Sequence, residues 1–191
     1  QSGGNSLKLG GLALHTPEGR QLLSLQDITI APGETICLRG ASGIGKTTLT
    51  KAIAGLWQHG KGEIVRPGGS WMFVPQKSYL PQGGLMDAAA YPAARENFGD
   101  AAIADALRTV GLAQTLAATT GAEGDKPEGL SGGELQRLAI ARLRLHKPDW
   151  AVLDEATSAL DTASETVLFS ILRERLQATT FIIIAHRLPE K

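Results

Sequence analysis

The sequence predicts an α/β fold, a mostly parallel sheet with helices packed on its faces, preceded by a small antiparallel sheet and interrupted by a helical insertion. Three observations predict it. Short apolar runs at Glu34–Arg39, Ser70–Val74, Trp150–Leu153 and Thr179–Ala185 read as buried strands. Segments with helical spacing or composition lie between them, at Lys46–Leu56, Met86–Ala118, Ser131–His146 and Glu165–Gln177. A glycine-rich turn joins the first of these strands to the first of these helices, in the strand, loop, helix order that positions ligands at a sheet edge.

Each element has its own cause. Leu7–Ile30 alternates apolar and polar residues around the turn Pro17-Glu18-Gly19, the pattern of an antiparallel hairpin. Leu49, Ile53 and Leu56 give the first helix an apolar stripe. The alanine-rich stretch 86–118 favours helix, with breaks near Pro92 and Gly99. Thr119–Gly129 is rich in Gly, Asp and Glu and reads as a flexible link before the helix opened by Ser131-Gly132-Gly133. One domain over 1–191 is expected, with a helical subdomain at about 84–147.

Composition excludes several classes. The chain carries 19 Lys plus Arg against 19 Asp plus Glu, so no global basic field argues for nucleic acid and no acidic excess argues for disorder. Its one cysteine, Cys37, excludes a disulfide framework and is expected to be a buried structural thiol in the run Thr35–Leu38. No stretch approaches the roughly 20 apolar residues of a membrane span, and the start has no apolar signal core, so the segment reads as soluble. It has no initiator methionine and stops just after an apolar strand, and reads as an excised part of something larger.

Three motifs carry chemistry. The first, Gly40, Ala41, Ser42, Gly43, Ile44, Gly45, Lys46, Thr47 and Thr48, fits a phosphate-binding loop, whose glycines let backbone N–H groups converge on phosphate oxygens. Lys46 would reach the β- and γ-phosphates and the Thr47 hydroxyl would ligate magnesium. Asp154 and Glu155 follow an apolar strand and emerge at the carboxyl edge of the sheet. Asp154 can hold the magnesium shell while Glu155 orients or deprotonates water for attack on the γ-phosphate. Ser131, Gly132, Gly133 and Glu134 form a helix start with a serine cap and an acid in the first turn, which reads either as a second anion-binding terminus or as ordinary capping.

Taken with Gln136-Arg137 and the carboxylate strand that follows, these motifs resemble the nucleotide-binding domain of an ABC transporter, from about Leu7 to the end of the chain. The resemblance implies a P-loop NTPase sheet with an N-terminal antiparallel β subdomain and a helical signature subdomain. It implies ATP and Mg2+ as ligands, and a second copy of the domain whose Leu130–Glu134 signature binds the γ-phosphate in trans, so that two copies enclose two nucleotides head to tail. It makes Gln76 the residue that senses magnesium and water, Asp161 part of a loop crossing the dimer interface in Ser158–Asp161, and His186 a catalytic contact to the γ-phosphate. Where members of the family commonly stack adenine on an aromatic ring, this chain has Leu14, His15 and Thr16, which leaves His15 as the candidate.

A narrower resemblance rests on Thr16–Leu23, Ala54–Trp57, Phe73–Pro81, Tyr91-Pro92 and His146–Trp150, which are similar to the exporter-type branch containing peroxisomal fatty-acyl transporters and their bacterial relatives. That branch implies a transmembrane domain N-terminal in the same polypeptide, dimerising half-transporters, and a place on the cytoplasmic face of a membrane, the bacterial inner membrane for this chain. Two other classes remain at the level of sequence. A soluble ABC ATPase of DNA repair or translation would insert coiled coils or zinc modules, or carry two motif sets, and the interval 76–130 is short with one set. A phosphotransferase would need an acceptor pocket and has no use for a signature motif.

Overall fold

The computed structural model describes residues 5–119 and 129–185. Along the chain the elements are β1 (Leu7–His15), β2 (Gln21–Ser24), β3 (Ile28–Ile30), β4 (Thr35–Leu38), α1 (Lys46–Ile53), β5 (Gly60–Val65), β6 (Trp71–Val74), α2 (Leu85–Ala90), α3 (Asp100–Thr109), α4 (Ala113–Thr119), α5 (Gly132–His146), β7 (Trp150–Asp154), α6 (Thr162–Arg175) and β8 (Thr180–Ile184). Among the described residues no helix is long and apolar enough to cross a membrane. Two compact units form, one of residues 5–73, 148–155 and 178–185, the other of 74–119, 129–147 and 156–177.

The first unit holds both sheets. In the antiparallel one, β1 pairs with β3 through Leu7–Leu9 and with β2 through Ala13–His15, while β5 pairs along Lys8–Leu14. Since β5 shares Lys8 and Leu9 with β3, and Ala13 and Leu14 with β2, it takes the opposite edge of β1 from those two strands. β5 lies outside the strands expected from sequence: Gly60-Lys-Gly-Glu offers little apolar alternation, and the pairing comes from β1 rather than from β5's own pattern. At Gly62, with φ of 99°, an added Cβ would lie 2.6 Å from the carbonyl oxygens of both Gly10 and Gly11, so only glycine fits beside the irregular stretch of β1.

The parallel sheet runs β4-β8-β7-β6. All five residues of β7 and all five of β8 are buried, the near-continuous apolar reading of central strands covered on both faces. β4 is an edge strand and only half-buried, which also leaves Cys37 half-buried rather than enclosed as expected. Leu7, Leu9, Leu12, Leu14 and Ile30 of the antiparallel sheet, Leu49 and Ile53 of α1, and Trp150, Val152 and Ile182 of the parallel sheet share one core. Asp149 ties the entry to two strands: its Oδ2 accepts from the Ser70 N–H at 2.7 Å and hydroxyl at 2.8 Å, which holds its carboxyl below the usual range. Helix α1 ends at Ile53, not Leu56, because the chain turns at Gly55 with φ of 78°, and Leu56 is left 75% exposed.

The second unit is helical. Stretch 86–118 divides into α2, α3 and α4, with the breaks falling around Pro92, Gly99 and Gly111. α5 packs against α2, α3 and α6, and is held from within by Arg142. That buried side chain donates from Nε to the Ala88 carbonyl at 2.7 Å and from Nη1 to the Tyr79 carbonyl at 2.9 Å, with its guanidinium 5.5 Å from the Tyr91 ring centroid. Burial pushes its pKa down from the usual arginine value. α6 begins at Thr162, three residues earlier than its apolar spacing shows, because Asp161 caps it: Oδ1 accepts from the Ser164 N–H at 2.9 Å.

The close approach at Gly62 gives a direct test. Gly62→Ala is expected to lower stability by about 2–4 kcal/mol in urea unfolding, since a Cβ there meets both positive φ and two carbonyl oxygens. A loss below about 0.5 kcal/mol, the size of an ordinary surface change, would mean that β5 does not lie against β1 in this register.

Candidate functional site

The site begins where β4 ends. From Gly40 to Ile44 the backbone is exposed, and it returns through Gly43 at φ 79° and Gly45 at φ 101° into α1. Gly45 is boxed in as well as twisted: a Cβ would stand 3.2 Å from Leu22 Cβ and 3.3 Å from Leu23 Cβ. The helix that follows has no side-chain cap and no acid in its first turn, so its leading N–H groups and positive end are left for an outside anion. Lys46 is buried and folds back over the loop, its Nζ donating to the Gly40 carbonyl at 2.8 Å and the Ala41 carbonyl at 2.9 Å. Two of its three donors thus fix the ammonium at the concave side of the turn. Thr47 is exposed on the first turn and Thr48 is half-buried.

The carboxylates stand on the same sheet edge. Leu38 of β4 and Asp154 of β7 both pair with Ile184 of β8, so the loop 40–45 and Asp154 leave the sheet at one level, two strand spacings or about 10 Å apart. Asp154 belongs to the strand itself, is 6% exposed, and its Oδ1 is buried with no hydrogen-bond partner among the described residues. A buried carboxylate oxygen without a donor is costly and fits a site built for a cation. Asp154 could contribute a carboxylate, and Thr47 a hydroxyl, to a hard divalent ion, for which oxygen ligands are the usual donors. Among the described residues no group of three or more His, Cys, Asp or Glu could hold a metal.

Glu155 departs from the extended backbone that adjacent strand-end acids would share. Its N–H continues the ladder by donating to the Ile184 carbonyl at 3.0 Å, and the chain then turns in the left-handed region at φ 50°. Asp154 stays in the pleat; Glu155, half-buried, starts the turn out of it.

Among the described residues, the remaining predicted ones lie on or next to other elements. Gln76 is exposed just beyond β6, in the second unit. Ser131 caps α5 in a full capping box: its Oγ accepts from the Glu134 N–H at 3.3 Å, and Glu134 Oε2 accepts from the Ser131 N–H at 2.9 Å and hydroxyl at 2.8 Å. The capping reading of this helix start is the one its geometry shows, with the serine hydroxyl engaged by the Glu134 carboxylate. Asp161 is the exposed cap of α6, with its carboxyl held below the usual range by the Ser164 N–H and hydroxyl. At the end of β1, His15 is half-buried and pinned through its backbone, its N–H donating to the His59 carbonyl at 2.9 Å and its carbonyl accepting from Trp57 Nε1 at 3.1 Å. His186 lies outside the described residues. Sequence reasoning used Gln136 and Trp57 only as parts of motifs and gave no individual role to them or to Arg142; the available signal was polarity on an apolar helix face for Gln136 and Arg142, both now found buried.

Glu134 carries a pH signature. The Ser131 N–H, then the Thr115 and Ser131 hydroxyls, lower its pKa below the ordinary value, so its support is fully present above about pH 4.5 and is lost as pH falls through the folded value. Glu134→Ala is expected to cost about 1 kcal/mol in urea unfolding at pH 7, and less as the pH drops below 4. A cost that did not shrink on acidification would show that the carboxylate is not what holds this turn.

Comparison with known proteins agrees with the geometry. Residues 23–158 match the family model described as ABC transporter. A Haemophilus influenzae protein named an uncharacterized ABC transporter ATP-binding protein is 43% identical over 176 residues, covering 92% of this chain and 30% of its own length. The Escherichia coli inner membrane ABC transporter ATP-binding protein YddA is 33% identical, covering 96% of this chain and 32% of its own. Human ATP-binding cassette sub-family D member 3 is 33% identical, covering 96% of this chain and 29% of its own. The chain thus spans about 30% of the length of these curated relatives. A solved bacterial Atm1-family ABC exporter with ATP bound superposes with a TM-score of 0.80 at 26% identity, over 97% of this chain and 35% of that one. With a family match over residues 23–158 and a 43% identical relative aligned over 92% of it, the chain belongs to the ABC transporter family as an ATP-hydrolysing nucleotide-binding domain.

Proposed function

We propose that this domain powers a membrane transporter by binding magnesium-ATP, closing on a second copy of itself and hydrolysing the nucleotide to reopen. The observation that carries the reading is the buried, unpartnered Asp154 Oδ1 at the sheet edge that also holds the loop 40–45. A loop that bound phosphate alone would not need that carboxylate; a magnesium-nucleotide site does, and the adjacent Glu155 is the base that hydrolysis would use.

In this reading the N–H groups of 40–48 and the Lys46 ammonium hold the phosphates, and Thr47, Asp154 and Gln76 hold the magnesium ion. When bound, the ion neutralises charge on the β- and γ-phosphate oxygens. Glu155 accepts a proton from the attacking water as its oxygen bonds the γ-phosphorus, the bond to the β-phosphate oxygen breaks, and ADP and phosphate leave. Lys46, Gln76 and His186 stabilise or orient the transferring group, and His15 lies against adenine. Ser131, Gly132, Gly133 and Asp161 act across the dimer on nucleotide held by the other copy. The transmembrane partner is N-terminal in the same polypeptide, the assembly is a dimer of half-transporters on the cytoplasmic face of the bacterial inner membrane, and nucleic acid is not a partner. Balanced charge, a relative named for the inner membrane and a structural neighbour that is an exporter support this placement.

Glu155→Gln is expected to keep ATP affinity within a few-fold and to cut hydrolysis by about 100-fold or more, since the amide keeps shape and loses basicity. Lys46→Ala is expected to weaken ATP binding about 10-fold or more through the lost phosphate contact. Light scattering of Glu155→Gln protein should give twice the monomer mass with magnesium-ATP and the monomer mass with ADP or no nucleotide. Hydrolysis at the parental rate in Glu155→Gln would overturn the assignment of the base, and a monomer with ATP demonstrably bound would overturn closure by this chain.

A further inference from the structure

We infer that Gln136 is a positioning residue that locks the loop 156–161 to the first turns of α5, so that the capped helix start and this loop respond to a bound phosphate as one body; the functional half of this statement rests on the head-to-tail reading above. Gln136 sits on the second turn of α5 and is 4% exposed. Its Oε1 accepts from the Ala159 N–H at 2.9 Å, and its Nε2 donates to Ser158 Oγ at 3.3 Å. One neutral amide therefore reads two consecutive loop residues, accepting from a backbone donor and donating to a hydroxyl.

The surrounding packing makes the same join. A Cβ at Gly132 would stand 3.4 Å from Ala159 Cβ, and one at Gly133 would stand 3.5 Å from Leu160 Cδ2, so the loop lies directly against the helix start with no side chain between. At its near end the loop is buried through Ala156 and Thr157, whose Oγ1 donates to Glu165 Oε1 at 2.6 Å. Its far end is tied by the Asp161 cap of α6. Between these anchors Ser158 and Ala159 are exposed, and Gln136 supplies side-chain hydrogen bonds that fix both to α5. Any ligand that draws on Ser131 at the head of α5 thereby sets the position of residues 158–160 as well.

The test uses the full chain carrying Glu155→Gln, alone and with Gln136→Met, which keeps length and apolar bulk and removes both hydrogen bonds. Amide hydrogen exchange without nucleotide should be about 10-fold faster across 157–161 in Gln136→Met, while the loop 40–47 exchanges at parental rates. The monomer's affinity for a fluorescent ATP analogue should stay within two-fold, whereas the ATP-driven dimer should be about 10-fold weaker, a split that general destabilisation would not produce. Gln136→Glu, which keeps an acceptor for the Ala159 N–H, should restore part of the protection and of the dimer. Ser158→Ala, at an exposed position, tests the hydroxyl arm if Gln136→Met folds poorly, and should speed exchange of the loop by a smaller factor. Unchanged exchange at 157–161 in these variants would overturn the clamp. A Glu155→Gln parent that stays monomeric with ATP bound would instead overturn the head-to-tail reading, since the loop's exchange is read without nucleotide.

Discussion

Everything at the candidate site depends on one backbone manoeuvre between Leu38 and Lys46. The chain must leave an edge strand, reverse through two left-handed glycines and enter a helix whose first turn is free of caps and acids. If Gly45 carried a side chain it would press on Leu22 and Leu23 of β2, and the turn could be kept only by moving that strand. The antiparallel sheet, whose residues share a core with α1, is thus the backing of the loop as well as a separate layer. Lys46 completes the arrangement by using the loop's own carbonyls to hold its charge in place, so the cation is positioned before any ligand arrives.

The parts of this site that the sequence made legible are those governed by short-range rules. Glycine spacing, an uninterrupted apolar run and a serine followed three residues later by an acid each encode a local geometry, and Gly40–Thr48, β7 and the capping box of α5 follow them. β5 was hidden because its residues have no strand pattern of their own and pair only because β1 offers an edge. Leu56 misled for the opposite reason: it fits a helical stripe, but Gly55 ends the helix before it. The backbone of Glu155 could not be read at all, since nothing in two adjacent acids announces that the second leaves the extended region. Gln136 and Arg142 show a further limit, because a polar residue on a helix gives no sign of which distant carbonyl or amide it will meet.

Those two residues give α5 its particular character. Most helices in such folds are held by an apolar stripe, and α5 has one, but it also carries two buried polar side chains that reach out to neighbouring backbone, in irregular chain and, for Arg142, also in α2. Near its start Gln136 takes hold of Ser158 and Ala159; two turns later Arg142 takes hold of Tyr79 and Ala88. Hydrogen bonds to backbone in a low-dielectric interior are directional in a way that apolar contacts are not, so α5 fixes the position of the segments it meets as well as their burial.

The left-handed backbone of Glu155 has a consequence for how this chain tolerates change. A residue with a Cβ held at φ 50° costs on the order of 1 kcal/mol, and glycine alone occupies that region freely. Position 155 is therefore one where stability and the proposed chemistry pull apart: the conformation favours glycine, and the carboxylate proposed as the base stands against that preference. A selection for thermal resistance alone, blind to turnover, would drift toward glycine here and discard the proposed base, whereas the same selection would leave Gly43 and Gly45 untouched.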